Sequence, residues 1–378
     1  MNLLKGRADM KNKNIIKKIK NFTVGALVLV YAVMLIYFSK EVSDAAVKAI
    51  AVCIRTIIPS LFAFMVISEF IVTSGLYSVI SKPFSFAAKH IFHIKPELFS
   101  IFLISSVAGY PVGAKMLTKL YTEELTDEKT ASEMLGICYM GGPAFFCGTA
   151  GIAVYSDVKI GLMLFLCVFL ANLTVALLSG LKREVPATNG NGSTPALHFS
   201  LTDFVGSINS GGAALLKICA AIIFFSTFTA IADRTGIIAA VSSVLSGISG
   251  LSESDCTAIL KSILEISNIT YLSSDIRLMP VIAALLSFGG LCVILQTEGI
   301  IESKISTNNF YLCRIIAMIL SYLYCKILIH MMNITEIVQT STQTAEAFSQ
   351  NSPIPSLFLL IMTILLLSKN FIAKSEKM

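Results

Sequence analysis

The sequence predicts an all-α polytopic membrane protein with about eight full crossings, re-entrant or broken helices between them, and two inverted repeats. Three observations lead there. The chain of 378 residues is 55% hydrophobic and 14% charged, with a mean hydropathy of +0.79. Its apolar runs reach the length of about 20 residues at which a helix, satisfying its own backbone, crosses a bilayer. The sequence also echoes itself. YMGGPAFFCGTAGI at 139–152 aligns with SFGGLCVILQTEGI at 287–300, matching Gly141 with Gly289, Gly142 with Gly290, Thr149 with Thr297 and Gly151 with Gly299. Upstream, FMVISEFIVTSGLYSVI at 64–80 lies over FSTFTAIADRTGIIAAV at 225–241. An ordered series of such matches in a membrane chain marks an internal duplication.

Residues 1–48 hold a basic amino-terminal segment and the first span, 22–38. Lys5, Arg7, Lys11, Lys13, Lys17, Lys18 and Lys20 precede that span and hold their side in the cytoplasm. The apolar run ends Ile36-Tyr37-Phe38-Ser39-Lys40 without a small-x-small cleavage pattern, so it is read as a retained helix rather than a signal peptide. Residues 49–181 form the first repeat and the helix after it, with clear spans at 49–72 and 160–181 and interrupted segments at 98–114 and 134–154. Residues 182–212 are a linker, whose stretch VPATNGNGSTPAL at 185–197 resists helix formation. Residues 213–305 form the second repeat, with a clear span at 213–232 and interrupted segments at 258–271 and 280–295. Residues 306–378 carry two last spans, 310–332 and 354–371.

Charge sets the topology. The stretch 333–353 has no Lys or Arg, whereas Lys369, Lys374 and Lys377 follow the last span, so both termini are expected in the cytoplasm. The loop 73–97 carries Lys82, Lys89 and Lys95, but its partner 233–257 sets only Arg234 against Asp233, Glu253 and Asp255. Equivalent loops on opposite faces mean inverted repeats, and the parity closes if 98–114 and 134–154 together make one net crossing.

The net charge of +6 resides in termini and loops and implies no nucleic-acid partner; the expected surroundings are membrane lipids. Nine cysteines show no C-x-x-C spacing, so neither a disulfide framework nor a zinc site follows. His90 and His93 have a metal-compatible spacing but lack a third ligand and are read as an interfacial pair. No catalytic array, P-loop or dinucleotide fingerprint occurs. The chain is read as no enzyme, with no cofactor.

The residues with chemical potential lie in the interrupted segments. In Ser105-Ser106-Val107-Ala108-Gly109-Tyr110-Pro111-Val112-Gly113-Ala114-Lys115, two glycines and a proline break an apolar helix. Backbone groups freed inside a membrane must meet protein, a cavity or a ligand, so Ser106, Gly109, Tyr110, Pro111 and Gly113 are candidates for a solute or ion path. Close helix packing is the competing reading. Lys115 either snorkels to the interface or reaches inward. The polar stretch 118–133 is read as a solvated connector, with Thr126 as the cap of the helix that follows. Glu69 and Glu265 are carboxylates at membrane depth. Glu265 with Ser267 and Asn268 forms a candidate ligand shell, with an ion pair from Glu265 to Lys261 as the alternative. The pairs Gly141-Gly142, followed by Pro143, and Gly289-Gly290 complete the set.

These residues resemble the YlbJ-like sporulation integral membrane proteins, whose core belongs to the nucleoside-recognition or Gate domain superfamily. The resemblance rests on Ser-x-x-x-Gly109-Tyr110-Pro111-Val112-Gly113-Ala114-Lys115, Gly142-Pro143-x-Phe145-x-x-Gly148-Thr149, Pro59-Ser60-Leu61-Phe62 with Ser68-Glu69, and Glu265-Ile266-Ser267-Asn268. Met140 and Gly141 stand where related sequences tend to carry Asn or Ser. The resemblance implies a bacterial inner-membrane protein of spore formation with Gate-type repeats. Its expected role is transporter or facilitator of a small polar solute, nucleoside-like or an ion, and the alternative is a non-transporting scaffold or gate subunit. Its expected partners are another copy of itself or membrane proteins of the sporulating cell.

Overall fold

A computed structural model describes residues 21–180 and 197–332, all of them helical or looped, with no strand among the described residues. The basic cluster before the first span, nearly all of the expected linker stretch and the expected span 354–371 lie outside the described residues. Among the described residues, four helical segments, 158–180, 201–234, 276–301 and 308–331, are long and apolar enough to cross a membrane, and up to seven crossings result if each of three sharply bent helix pairs counts as one.

Helix α1 (Asn21–Tyr37) turns by 91° into the next helix, α2 (Ser39–Val52). The expected single span 49–72 is divided. A π-turn at Cys53–Ile57 joins α2 to α3 (Ile58–Thr73). Pro59, in the first turn of α3, has no N–H for the carbonyl four residues back, and the widened turn accommodates that loss. After α3 come α4 (Leu76–Ile80), α5 (Ser85–His90) and α6 (Pro96–Ala108). Pro96 opens α6, where a missing N–H costs nothing, and Glu97 lies in its positive first turn.

The expected break falls at residues 109–111, and helix resumes as α7 (Val112–Thr122). α7 runs past the expected end at 114, so the connector shrinks to 123–127. α8 (Glu128–Ile137) is capped by Asp127 rather than by Thr126. The Asp127 carboxylate accepts from the Thr130 amide at 2.9 Å and from the Thr130 hydroxyl at 2.7 Å. A non-helical stretch over 139–142 leads into α9 (Pro143–Tyr155), which carries a π-turn at Phe146–Ile152, and then α10 (Val158–Gly180).

The second half opens with α11 (Leu201–Arg234), capped by Ser200. Its first turns occupy 201–212, within the expected linker, because the apolar pattern of the helix extends back to its Ser200 cap. α12 (Ile237–Ser249) and α13 (Glu253–Leu264) are bent by 118° against each other. Short 3-10 turns at Ile266–Tyr271 and Ile276–Leu278 precede α14 (Met279–Phe288), α15 (Gly290–Ile301) and α16 (Asn308–Met332).

The sequence echo has a structural counterpart. Gly75 and Gly236, aligned in the two halves, both adopt left-handed backbone, at φ 72° and 73°, and both open the next helix. α14 packs on α16, which also contacts α10 and α8, while α11 lies along α2, α3 and α15. The first group encloses a closely buried part of the interior, where Phe310, Cys167, Cys325 and Arg314 are at most 1% exposed. The second group encloses a polar cleft described below.

Gly236 has open space where a Cβ would stand, so Gly236→Ala is expected to lose only the left-handed penalty, about 1 kcal/mol, and Gly236→Asn less. At Gly289 a Cβ would meet the Tyr139 hydroxyl at 2.5 Å; together with φ 79°, Gly289→Ala is expected to lose about 2 kcal/mol or more. Thermal unfolding of the purified variants in detergent measures the difference, and equal losses would contradict it. Burial raises the Asp127 carboxyl, but the Thr130 amide and hydroxyl outweigh it and hold it below its ordinary 3.8. The cap therefore contributes fully above about pH 3.8 and is lost as pH falls through the lower folded value. Asp127→Asn should retain the cap without that acid-dependent loss, and Asp127→Ala should cost about 1 kcal/mol at neutral pH, both read from unfolding midpoints across acid pH.

Candidate functional site

The glycines singled out from sequence lie where backbones touch. A Cβ on Gly109 would stand 2.8 Å from the Gly142 amide nitrogen, and one on Gly142 would stand 2.8 Å from the Val107 carbonyl oxygen. The stretch leading into α9 thus rests on the end of α6. The second half repeats the contact: a Cβ on Gly290 would meet the Ser262 carbonyl at 3.1 Å, near the end of α13, and the Ile266 amide nitrogen at 3.1 Å. In each half, the second glycine of the pair seats one helix start on the end of the short helix before it. Gly113 faces the Cys138 carbonyl, and Gly141 faces the Phe146 ring. Pro143 opens α9, where its missing N–H is harmless.

The stretch 139–142 meets the end of α14 at Tyr139 and Phe288. The Tyr139 hydroxyl donates to the Phe288 carbonyl at 3.2 Å, and its ring stacks on Tyr110 at 5.1 Å. Arg314, from α16, reaches into this junction and is 1% exposed. One of its terminal nitrogens donates to the Tyr139 carbonyl at 2.7 Å and the Ser287 carbonyl at 3.4 Å. The other donates to Asn172 Oδ1 at 2.8 Å and to the Gly136 carbonyl. Tyr139 and Ser287 are aligned residues of the sequence echo, so one nitrogen holds the matching carbonyl of both halves. No carboxylate pairs with Arg314 among the described residues. Its charge is met by carbonyls at the ends of α8 and α14, where helix dipoles are negative, and by the Tyr139 ring face at 4.9 Å.

Glu265 ends α13 with extended backbone, φ −144° and ψ 116°, the counterpart of the break at Gly109. Ser267 and Asn268 do gather around it. Its carboxylate accepts from the Ser267 amide at 3.1 Å, from the Ser267 hydroxyl, and from Asn268 Nδ2 at 3.4 Å. The alternative ion pair is not formed, because Lys261 reaches Asp233 at 2.6 Å instead. Glu265 lies within electrostatic range of the Tyr110 hydroxyl, a buried group with no hydrogen-bond partner among the described residues. Ser106, by contrast, turns its hydroxyl back to the Phe102 carbonyl at 2.8 Å.

Glu69 is elsewhere, in the polar cleft. It is 6% exposed and shared by two lysines of α7, with Lys119 Nζ at 2.7 Å and Lys115 Nζ at 3.4 Å. Lys115 therefore reaches inward rather than snorkelling. The cleft, of about 360 Å³, lies between α3, α7, α11 and α15 and extends to Lys217, Glu302 and Lys304. Lys217 and Lys304 hold the Glu302 carboxyl below its ordinary value. The structure thus separates the predicted residues into two places, one around Tyr110 and Glu265 and one around Glu69 and Lys115. Sequence reasoning passed over Arg314, Asn172 and Lys119. An arginine inside the apolar run 310–332 was the available signal for the first of these.

No family profile matches the chain, and no solved structure matches it. Among curated proteins it is similar to the sporulation integral membrane protein YlbJ of Bacillus subtilis strain 168, 22% identical over 332 residues that cover 80% of this chain and 81% of that one. That likeness and the apolar helices agree on a multi-pass membrane protein.

Arg314→Met is expected to lower stability by about 3–5 kcal/mol, since it strands buried acceptors from both halves. Arg314→Lys keeps the charge without the planar fork and should fall between the two. Thermal unfolding in detergent checks the order; a Met variant as stable as the native chain would remove Arg314 from its structural role.

Proposed function

We propose that the chain is a protein of the bacterial inner membrane, used in spore formation, that passes a small polar solute, nucleoside-like or an ion, through a core of two Gate-type inverted repeats. Both termini lie in the cytoplasm, and the chain catalyses no reaction. The observation that carries the reading is the matched pair of helix ends at Gly109 and Glu265, with an unpartnered hydroxyl on Tyr110 within electrostatic range of the Glu265 carboxylate. Non-helical backbone and a carboxylate at membrane depth belong beside a guest or a cavity, and transporters built from duplicated halves place their solute at such breaks. The likeness to the Bacillus subtilis sporulation protein supports the cellular role.

A second reading has its own support. The glycine seats at 109, 142 and 290 are filled by protein backbone, as in a rigid scaffold that organises other copies or membrane partners. The two readings part on flux. Proteoliposomes containing the full chain, screened with labelled nucleosides, amino acids and inorganic ions, should accumulate at least one of them above empty vesicles. Glu265→Gln and Tyr110→Phe should lower that uptake about tenfold or more, each having lost a group that contacts the guest. Absence of flux in the wild type, together with full sporulation by cells carrying either variant, would decide for the scaffold.

A further inference from the structure

We propose that the cleft between α3, α7, α11 and α15 binds a small oxyanion, a phosphate or carboxylate group, between two lysine-rich triads. In the deep triad Glu69 sits between Lys119 at 2.7 Å and Lys115 at 3.4 Å. In the outer one Glu302 sits between Lys217 at 2.5 Å and Lys304 at 3.3 Å. Each triad has two cations for one carboxylate, so the pair carries a surplus of positive charge. Glu123, at the rim and 3.7 Å from Lys119, offsets part of it.

The deep lysine supplies the independent observation. Lys115 is 6% exposed, and its ammonium has no hydrogen-bond partner among the described residues. An ammonium carries three donors, and leaving them unmet in the interior of a membrane protein is costly. The acceptor that answers it must enter the cleft, and surplus positive charge selects a negative one. Ser210 also lines the cavity, and its side chain carries a further donor. A volume of about 360 Å³ lies at the small end of ligand sites. Lys217 and Glu302, with side chains 45% and 50% exposed, leave the outer end reachable from water.

The same chemistry is offered by a free anion and by an anionic lipid headgroup, and the inference concerns binding alone, independent of whether solute crosses. The test uses the full chain in neutral detergent. Its unfolding midpoint is followed with increasing inorganic phosphate against chloride at constant ionic strength, and separately with phosphatidylglycerol added to phosphate-free micelles. A saturable rise is expected in one arm, and which arm responds identifies the source. Lys217→Gln and Lys304→Gln, at exposed positions that preserve folding, should weaken the response about threefold to tenfold, and Glu302→Gln should strengthen it. Lys115→Met should abolish it, and the outer variants decide the matter if that variant fails to fold. A flat response in both arms would overturn the proposal. So would reversed signs, with Lys→Gln tightening and Glu302→Gln weakening, because a cation site behaves that way.

Discussion

The buried guanidinium of Arg314 is the constraint around which the interior is arranged. A permanent charge in a dry core needs acceptors around it, and here its two terminal nitrogens find them, two being main-chain carbonyls from aligned positions in the halves, Tyr139 and Ser287. That requires α8 and α14 to end at the same place, with their last carbonyls converging. It also fixes the Tyr139 ring, since the guanidinium lies over its face. The fixed ring leaves no room for a side chain at residue 289. The need for glycine at 289 is therefore tied to the arginine as well as to its left-handed backbone, whereas Gly290 answers to the backbone of residues 262–266.

Arg314, Glu69 and Glu265 are handled in three different ways. Arg314 is met by backbone dipoles, and the Glu69 carboxylate by two lysines at 2.7 and 3.4 Å. Glu265 is met by an amide, a hydroxyl and a carboxamide from the turn that follows it, with no cation beside it among the described residues. A carboxylate supported only by neutral donors retains capacity for a proton, a cation or a hydroxyl. That difference separates a structural charge from one with capacity to spare, and it could not be drawn from the presence of Glu69 and Glu265 in apolar runs.

What the sequence made legible is what proline and glycine announce. The break at 109–111, the turn at Gly75 and its partner Gly236, and the pairing of Gly142 with Gly290 are all backbone events written in residue type. What remained hidden depends on partners distant in sequence. Arg314 binds main-chain oxygens, which every residue possesses, so no side-chain pattern named its partners. Lys119 became a partner of Glu69 only because α7 continues past residue 114, beyond the end of the apolar pattern. The reading of Gly109 and Gly113 left a choice between exposed and packed backbone. Their nearest neighbours, the Gly142 backbone and the Cys138 carbonyl, are ordinary chain atoms invisible to periodicity.

Helix α11 carries a consequence for assembly. Its 34 residues make it about 50 Å long, well beyond the roughly 30 Å of a bilayer's hydrocarbon. It lies along α2 and α3, with Gly211 against Val66, and Thr227 shares a hydrogen bond with Tyr31 across 196 positions of chain. A ribosome delivers the earliest helices long before this strut exists. During synthesis they must wait in the lipid with one flank uncovered, and the native packing of the first half is completed only when the second half arrives.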